Sequence, residues 1–124
     1  MDLIHTYTRK EAIADGFQVQ LNEATTKEAG FNTPVFMTSG INNLIEKAVA
    51  NDNFCNDTEG ITWDILTMLR YAIKRAQNNG NRIEFVVKIM GAARKQNFLC
   101  VATIGPMDID NPAPAMTIML PEEE

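Results

Sequence analysis

Residues 81–104 read Asn-Arg-Ile-Glu-Phe-Val-Val-Lys-Ile-Met, then Gly-Ala-Ala-Arg-Lys-Gln, then Asn-Phe-Leu-Cys-Val-Ala-Thr-Ile. Two runs rich in β-branched and aromatic residues flank a short basic connection that contains a glycine. This arrangement predicts a β-hairpin with a basic tip. Because successive side chains of a strand point to opposite sides, one face of the first strand is wholly apolar. That face carries Ile83, Phe85, Val87 and Ile89.

The opposite face of the hairpin is only half apolar. It mixes the apolar residues Val86, Met90, Leu99 and Val101 with the polar residues Arg82, Lys88, Asn97 and Thr103. We expect the apolar face to pack on helices. The mixed face should lie against a short N-terminal element, a second subunit or a ligand, and we favour self-association.

Upstream of the hairpin, the sequence predicts two long helices. The first begins at a cap on Thr38 or Ser39 and ends near residue 51. The second runs from about residue 62 to residue 78 and ends at Asn79-Gly80. Each carries one apolar stripe at helical spacing. The stripes comprise Ile41, Leu44, Ile45, Ala48 and Val49 in the first helix, and Ile65, Leu69, Ala72, Ile73 and Ala76, widened by Leu66 and Met68, in the second.

The two ends of the chain contain shorter elements. Capping-box patterns at residues 8–11 and 25–28 each predict a helix of one or two turns. Residues 17–21 alternate and predict a half-buried strand, and residues 33–37 predict an extended segment. Toward the end of the chain, residues 108–112 read as a turn-rich loop, 115–120 as a third strand, and 121–124 as a solvated acidic tail.

These elements predict an α+β fold. We expect an antiparallel sheet with a C-terminal three-strand meander packed on two main helices, with short N-terminal helices and strands. The 124 residues, of which 45% are hydrophobic, suit a single domain spanning 1–124.

Charge is unevenly distributed along the chain. The formal net charge is −5, which argues against a non-specific DNA binder. Residues 65–107 nevertheless hold seven basic residues and one acid, Glu84, so this segment carries +6 and the remainder −11. A basic middle segment can hold a small anion. A solvated helix face with a charged hairpin tip explains the same pattern.

Catalytic chemistry is not evident in the sequence. The single histidine, His5, lies near the start, and no nucleophile elbow, phosphate loop or paired-cysteine motif is present. Asp108 and Asp110 fit a turn better than a metal site. Cys55 and Cys100 read as reduced thiols of a cytoplasmic protein. The sequence therefore predicts binding over catalysis, with no catalytic residue, metal or cofactor, and no segment that spans a membrane.

Several segments in order resemble a known family. They are Tyr7 to Gly16 (Tyr-Thr-Arg-Lys-Glu-Ala-Ile-Ala-Asp-Gly), Glu28-Ala29-Gly30-Phe31 followed by Pro34-Val35, Trp63-Asp64-Ile65-Leu66, and Ala115 to Pro121 (Ala-Met-Thr-Ile-Met-Leu-Pro). The chain resembles small proteins of phages and mobile elements that form a domain family of unknown function. We connect that family with the phage Thoeris anti-defence sponge proteins.

The resemblance implies a function. A sponge of this kind binds a cyclic ADP-ribose signal, such as glycocyclic ADP-ribose, in the host cytoplasm and does not cleave it. Members of the family are homo-oligomers, dimers or hexamers, and some also hold cyclic di- or trinucleotides. The expected partner is therefore a small nucleotide signal. The alternative is an acidic protein-binding inhibitor of a host defence factor, which would show an acidic stripe on one regular face.

The hairpin offers residues for such a ligand. A cyclic ADP-ribose needs a flat ring for its base, cations for its pyrophosphate and polar groups for its riboses. The candidates are Phe85 or Phe98 for stacking, Arg82, Lys88 and Arg94 for phosphate, and Asn97 and Thr103 for base or ribose edges. Strand alternation alone favours core packing for both phenylalanines.

A second nucleotide site is suggested at the start of the chain. Thr8 and Arg9 precede a predicted helix, and a helix N-terminus beside an arginine suits phosphate. A capped surface helix accounts for the same two residues.

Overall fold

The computed structural model describes residues 7–76 and 80–124, and His5 and the helix end predicted at residues 78 and 79 lie outside them. Within these residues, four helices and five strands follow one another, and a short 3₁₀ turn comes after them. In chain order they are α1 (Arg9–Ala14), β1 (Gln18–Gln20), α2 (Glu23–Glu28), β2 (Val35–Thr38), α3 (Ser39–Ala50), α4 (Thr58–Arg75), β3 (Arg82–Lys88), β4 (Asn97–Asp108), β5 (Asn111–Met119) and the 3₁₀ turn Pro121–Glu123. The predicted α+β class is confirmed.

The predicted hairpin and meander are present. β3 pairs antiparallel with β4, with Phe85 opposite Cys100, and β4 pairs antiparallel with β5. β4 is longer than predicted because it continues through Gly105 and Pro106. The expected loop at residues 108–112 is therefore a two-residue connection, Ile109 and Asp110, between β4 and β5.

The sheet is mixed, and this corrects the expectation of an antiparallel sheet. Its strand order is β1-β2-β5-β4-β3. β2 pairs parallel with β5, with Phe36 opposite Thr117, while the other three pairings are antiparallel. β2 and β5 lie side by side in the interior of the sheet, because the intervening helices and hairpin return the chain to β2.

The main core lies between one sheet face and the helices α3 and α4. Ile41 and Ile45 of α3 and Ile65 and Leu69 of α4 are fully buried there. Three residues of the predicted stripes are instead exposed: Val49, Ile73 and Ala76. Val49 lies in the last turns of α3 and Ile73 in those of α4, where the stripe rotates away from the sheet.

Two helix starts differ from the sequence interpretation. α2 begins at Glu23, where the Asn22 side chain accepts from the amide of Ala24, so the capping-box pattern at residues 25–28 lies inside the helix. α4 begins at Thr58, capped by Asp57, whose carboxylate accepts from the amide of Gly60. In both cases an Asx residue upstream supplies the cap.

The second sheet face is partly covered. α1 lies over its β1–β2–β5 half, where Ala12, Phe36 and Ala115 are buried, and Val101 of the neighbouring β4 is buried on the same face. Over the β3–β4 half, Val86 and Leu99 remain 49% and 43% exposed. The short N-terminal helix therefore covers half of the mixed face and leaves the hairpin half open.

The acidic tail is bound to the fold, which corrects its prediction as solvated. Glu123 accepts hydrogen bonds from the Thr38 hydroxyl (2.6 Å) and the Gly40 amide (2.9 Å) at the start of α3. Glu124 pairs with Arg82 of β3. Of the helices that the structure describes, none is long and apolar enough to cross a membrane.

Candidate functional site

Both phenylalanines of the predicted hairpin site lie in the core. Phe85 is 5% exposed and Phe98 3%, and each faces the helices across the apolar side of the sheet. Lys95 covers Phe98, with its Nζ 5.0 Å from the ring centroid. The stacking role predicted for these rings is therefore corrected in favour of core packing.

The polar hairpin residues divide between two places. Lys88 lies opposite Asn97 at one end of β3, and Arg82 lies opposite Thr103 at the other. The two ends are about 20 Å apart at the rise of a strand. The predicted set therefore does not form a single pocket within one protomer.

Arg82 and Arg94 differ in their engagement. The Arg82 guanidinium donates to the Glu124 carboxylate and also forms an ion pair with Glu84 at 2.9 Å. The hydrogen bond with Glu124 raises the pKa of Arg82 above its usual range. Arg94 is exposed in the loop between β3 and β4 and makes no hydrogen bond or ion pair to another described residue. Arg94 alone among the hairpin arginines is thus available in one protomer to a phosphate.

α1 is a surface helix whose N-terminus is capped. Thr8 and Glu11 form the predicted capping box. The Asp108 carboxylate, from the end of β4, accepts from the amides of Arg9 (3.1 Å) and Lys10 (3.0 Å). A carboxylate thus occupies the position predicted for a phosphate, so the helix N-terminus is not open to one.

Arg9 is held inside the fold by several partners. Its Nε donates to the Met107 carbonyl, and its Nη1 donates to Gln18 (2.8 Å) and Thr117 (3.0 Å). Its guanidinium carbon lies 4.2 Å from the centroid of the Phe36 ring. Burial lowers the pKa of Arg9, and the Asp108 carboxylate opposes that shift. Arg9 therefore fastens α1 to the sheet.

A cavity of about 520 Å³ lies beside Arg9. Two exposed rings, Tyr7 and Phe17, border it with their centroids 6.3 Å apart. Tyr7 donates to Asp15 at 2.6 Å, and this hydrogen bond raises the Tyr7 pKa to about 12. Asp108 and Glu123 also line the cavity, so its electrostatics disfavour an anionic ligand.

A more suitable surface for an anion lies on the outer side of α4. We call it the α4 face and define it by five residues at helical spacing: Trp63, Thr67, Arg70, Tyr71 and Lys74. Trp63 is 41% exposed and Tyr71 56%. With Glu28, the last residue of α2, and Ala29, which follows it, these side chains line a cavity of about 330 Å³.

The Arg70 side chain has a fixed position on this face. Its Nη1 donates to the carbonyl of Ala29 at 3.0 Å, at the end of α2. The guanidinium lies directly against Gly30, where a Cβ would come within 2.4 Å of Nη1. Gly30 therefore provides the space that allows the guanidinium to lie in the cavity wall.

The sequence interpretation missed the α4 face, although a signal was present. Trp63, Arg70 and Tyr71 lie outside the apolar stripe that was predicted to face the core. The basic segment starting at residue 65 includes both Arg70 and Lys74. A large aromatic residue off the buried stripe, next to helix cations, is the pattern that would have indicated this surface.

Potential metal ligands and thiols do not cluster among the described residues. Within residues 7–76 and 80–124, no group of three or more potential ligands among His, Cys, Asp and Glu is close enough to hold a metal ion. Cys100 is buried, and burial raises the pKa of its thiol to about 12. Cys55 is exposed and free.

Comparison with known proteins gives one match. A family model described as "Family of unknown function (DUF6573)" matches residues 1–124. The chain belongs to this family. No curated protein and no solved structure matches the chain significantly.

Proposed function

We propose that this protein is a phage-encoded anti-defence sponge that acts in the host cytoplasm. It binds a cyclic ADP-ribose-type signal, in some settings a cyclic oligonucleotide, and holds it without cleaving it. The observation that carries the proposal is the α4 face, where two exposed aromatic rings alternate with two cations beside a small cavity.

The chemistry of the α4 face matches that ligand class. A purine stacks on an exposed ring, and a pyrophosphate pairs with the cations Arg70 and Lys74. Thr67 is four positions from each ring along the helix, so its hydroxyl is the polar group that would meet a ribose. Glu28 is the one carboxylate among the residues that line the cavity, so their net charge is positive.

Helix geometry limits how the rings are used. Trp63 and Tyr71 are eight positions apart, which is about 12 Å along the helix axis. One base cannot be clamped between rings that far apart. One ring therefore stacks on the base, and the other borders a sugar at the opposite end of the ligand.

Holding the ligand intact is consistent with the residues that line the cavity. Among those described residues are no histidine and no cysteine. Arg70 is anchored to a main-chain carbonyl, which favours a fixed binding surface over a proton-transfer group. These observations support sequestration over hydrolysis.

The first experiment is a fluorescence titration, because Trp63 is the single tryptophan of the chain. We expect cyclic ADP-ribose isomers to change its emission. Lys74→Glu should weaken the affinity about 10-fold or more, since it replaces an attractive charge by a repulsive one.

Arg94→Glu is the charge-matched control and also tests the predicted hairpin site. The α4 face requires that Lys74→Glu weakens binding and that Arg94→Glu leaves it unchanged. The reverse result would place the ligand at the hairpin and overturn the α4 site. Native mass spectrometry of the complex should recover the ligand at its intact mass, and a linearised product would contradict sequestration.

A protein-binding inhibitor is the second candidate, and one observation favours it. Four carboxylates, from Glu28, Asp57, Glu59 and Asp64, line an open cavity of about 780 Å³ next to Trp63. A basic partner would meet both the acids and the exposed ring. If native mass spectra show no bound nucleotide with any cyclic ADP-ribose isomer or cyclic oligonucleotide, this second function is favoured.

A further inference from the structure

β3 forms one edge of the sheet, and its register with β4 fixes which of its main-chain amides and carbonyls point away from the sheet. Ile89 donates its amide to Gln96, and Ile104 donates to Asn81. In the antiparallel register of β3 with β4, the odd-numbered residues therefore bond β4. The even-numbered residues point their amides and carbonyls away from β4. These residues are Arg82, Glu84, Val86 and Lys88.

This outer edge is long and exposed. Among the described residues, no strand pairs with it and no main-chain hydrogen bond reaches its even-numbered residues. All four outward side chains are exposed on the open half of the mixed face. The opposite edge strand, β1, has only three residues. An edge of seven residues is a template for pairing with another strand.

We infer that β3 pairs with β3 of a second copy, antiparallel about a two-fold axis through Val86. Glu84 then lies opposite Lys88 of the partner subunit, and Lys88 lies opposite Glu84 of the partner subunit. Val86 faces Val86 of the partner subunit at the axis. The two five-stranded sheets become one continuous sheet, joined by about six main-chain hydrogen bonds.

The charges of β3 select this register over its neighbours. The even-numbered residues, whose amides and carbonyls point away from β4, must lie opposite one another in the pair of strands. The two strands can therefore shift only between registers that keep even-numbered residues opposite even-numbered residues. One such alternative places Glu84 opposite Glu84 of the partner subunit. Another places Arg82 opposite Lys88 of the partner subunit. Of the in-phase registers that overlap over five or more β3 residues, the one centred on Val86 pairs opposite charges.

The exposed apolar residues also favour a second copy. Val86 is 49% exposed at the axis, and Leu99 lies beside it on β4 and is 43% exposed. Pairing brings the two valines together and shields them from water. A strand from an unrelated protein would have to reproduce this charge order, whereas the chain itself already carries it.

The decisive experiment is charge reversal with sedimentation equilibrium of the full chain, over about 1–200 μM at low salt. We expect the unmodified protein to dimerise. Glu84→Lys alone and Lys88→Glu alone should each weaken association about 10-fold or more, because each places like charges opposite each other. The double variant restores opposite charges across the axis and should recover the dimer.

Three outcomes would overturn the inference. They are a monomer at every concentration, an oligomer that ignores both single reversals, and a double variant that associates no better than the singles. Circular dichroism of each variant separates loss of assembly from loss of folding. A monomeric protein would mean that the edge charges serve to prevent aggregation.

Disulfide trapping tests the geometry directly, in a Cys55→Ser background. Val86→Cys should form an intermolecular disulfide on oxidation, since the two positions face each other across the axis. Leu99→Cys is the matched control, because it is similarly exposed but one strand further in. Its sulfurs would be about 14 Å apart, beyond disulfide reach. Equal crosslinking of both variants would contradict the pairing.

This interface gives a structural form to the homo-oligomer expected from the sequence, and it is tested separately from the proposed ligand binding. The charge-reversed residues lie on β3, and the ligand residues lie on α4. A failed β3 pairing therefore leaves the Trp63 titration interpretable, and a failed titration leaves the pairing interpretable.

Discussion

At the residue scale, side chains that looked available for a ligand are used by the fold. Arg9 contacts the Met107 carbonyl, Gln18 and Thr117, and Asp108 occupies the amides that begin α1. A helix N-terminus attracts any anion, and here the chain supplies its own. The residues that remain at a suitable surface, Trp63 and Lys74, lie where no internal partner competes for them among the described residues.

Asp108 should make the stability of the fold depend on pH. The hydrogen bond from the Ile109 amide, followed by those from Lys10 and Arg9, holds the pKa of Asp108 below its usual range. Its contribution is therefore complete above the unfolded pKa of about 4 and is lost as pH falls through the lower folded pKa. Asp108→Asn should be less stable than the unmodified protein at pH 7, and the gap should close in acid.

Urea denaturation between pH 7 and pH 2 measures that gap. Asp110→Asn is the matched control, because it makes the same chemical change two residues away, in the β4–β5 connection. We expect it to leave the pH profile unchanged. A gap for Asp108→Asn that is constant at all pH values would show that the carboxylate charge is not responsible.

A side chain at position 30 should destabilise the fold for two reasons. Its φ is +97°, and a Cβ would lie 2.4 Å from Nη1 of Arg70. Gly16 has a similar φ of +80° but no atom within 4 Å of a Cβ. Gly16→Ala should cost about 1 kcal/mol of unfolding free energy from the backbone alone. Gly30→Ala should cost more and should also weaken ligand binding, because Arg70 must move.

Urea denaturation of both glycine variants separates the two costs. Equal losses of unfolding free energy would mean that Arg70 adjusts freely. In that case Gly30 would serve only the backbone conformation.

At the element scale, the C-terminal turn shows how distant segments complete one another. Thr38 occupies the N-cap position of α3, but its hydroxyl makes no cap and instead donates to Glu123. Glu123 in turn accepts from the amides of Gly40 and Leu120. A residue more than eighty positions away thus caps α3 and ties the end of the chain to the sheet.

Glu123→Ala should therefore lower the unfolding free energy by about 1–2 kcal/mol, the usual cost of losing a helix cap. Glu122→Ala is the control, because Glu122 belongs to the same turn and is exposed. It should change stability by less than about 0.5 kcal/mol. Urea denaturation gives both values, and equal losses would refute the capping role.

The edge strand β3 combines properties that its sequence predicts with one that only the strand order decides. The alternation of its residues was readable in the sequence, and it correctly divided a buried face from an exposed one. Which side of β3 lacks a neighbour depends on the strand order of the sheet. The register of its proposed self-pairing then follows again from sequence, through the charges of Glu84 and Lys88.

At the scale of the whole molecule, the family match and the fold constrain function only loosely. The chain belongs to a family whose function is unknown, and its α+β architecture alone implies no activity. The proposed sponge function depends on a helix face, and the proposed self-pairing depends on a sheet edge. Both are surfaces left uncovered after the core has formed.

The sequence by itself determined the local elements and their buried sides. Alternation in residues 81–104 predicted the hairpin and the apolar face of Phe85, and helical spacing predicted most of α3 and α4, because these patterns depend on near neighbours. Only the tertiary structure decided the parallel pairing of β2 with β5, the capping of α3 by Glu123 and that of α1 by Asp108. Those contacts join residues some eighty or more positions apart, and no local pattern records which distant group meets an unsatisfied amide or sheet edge.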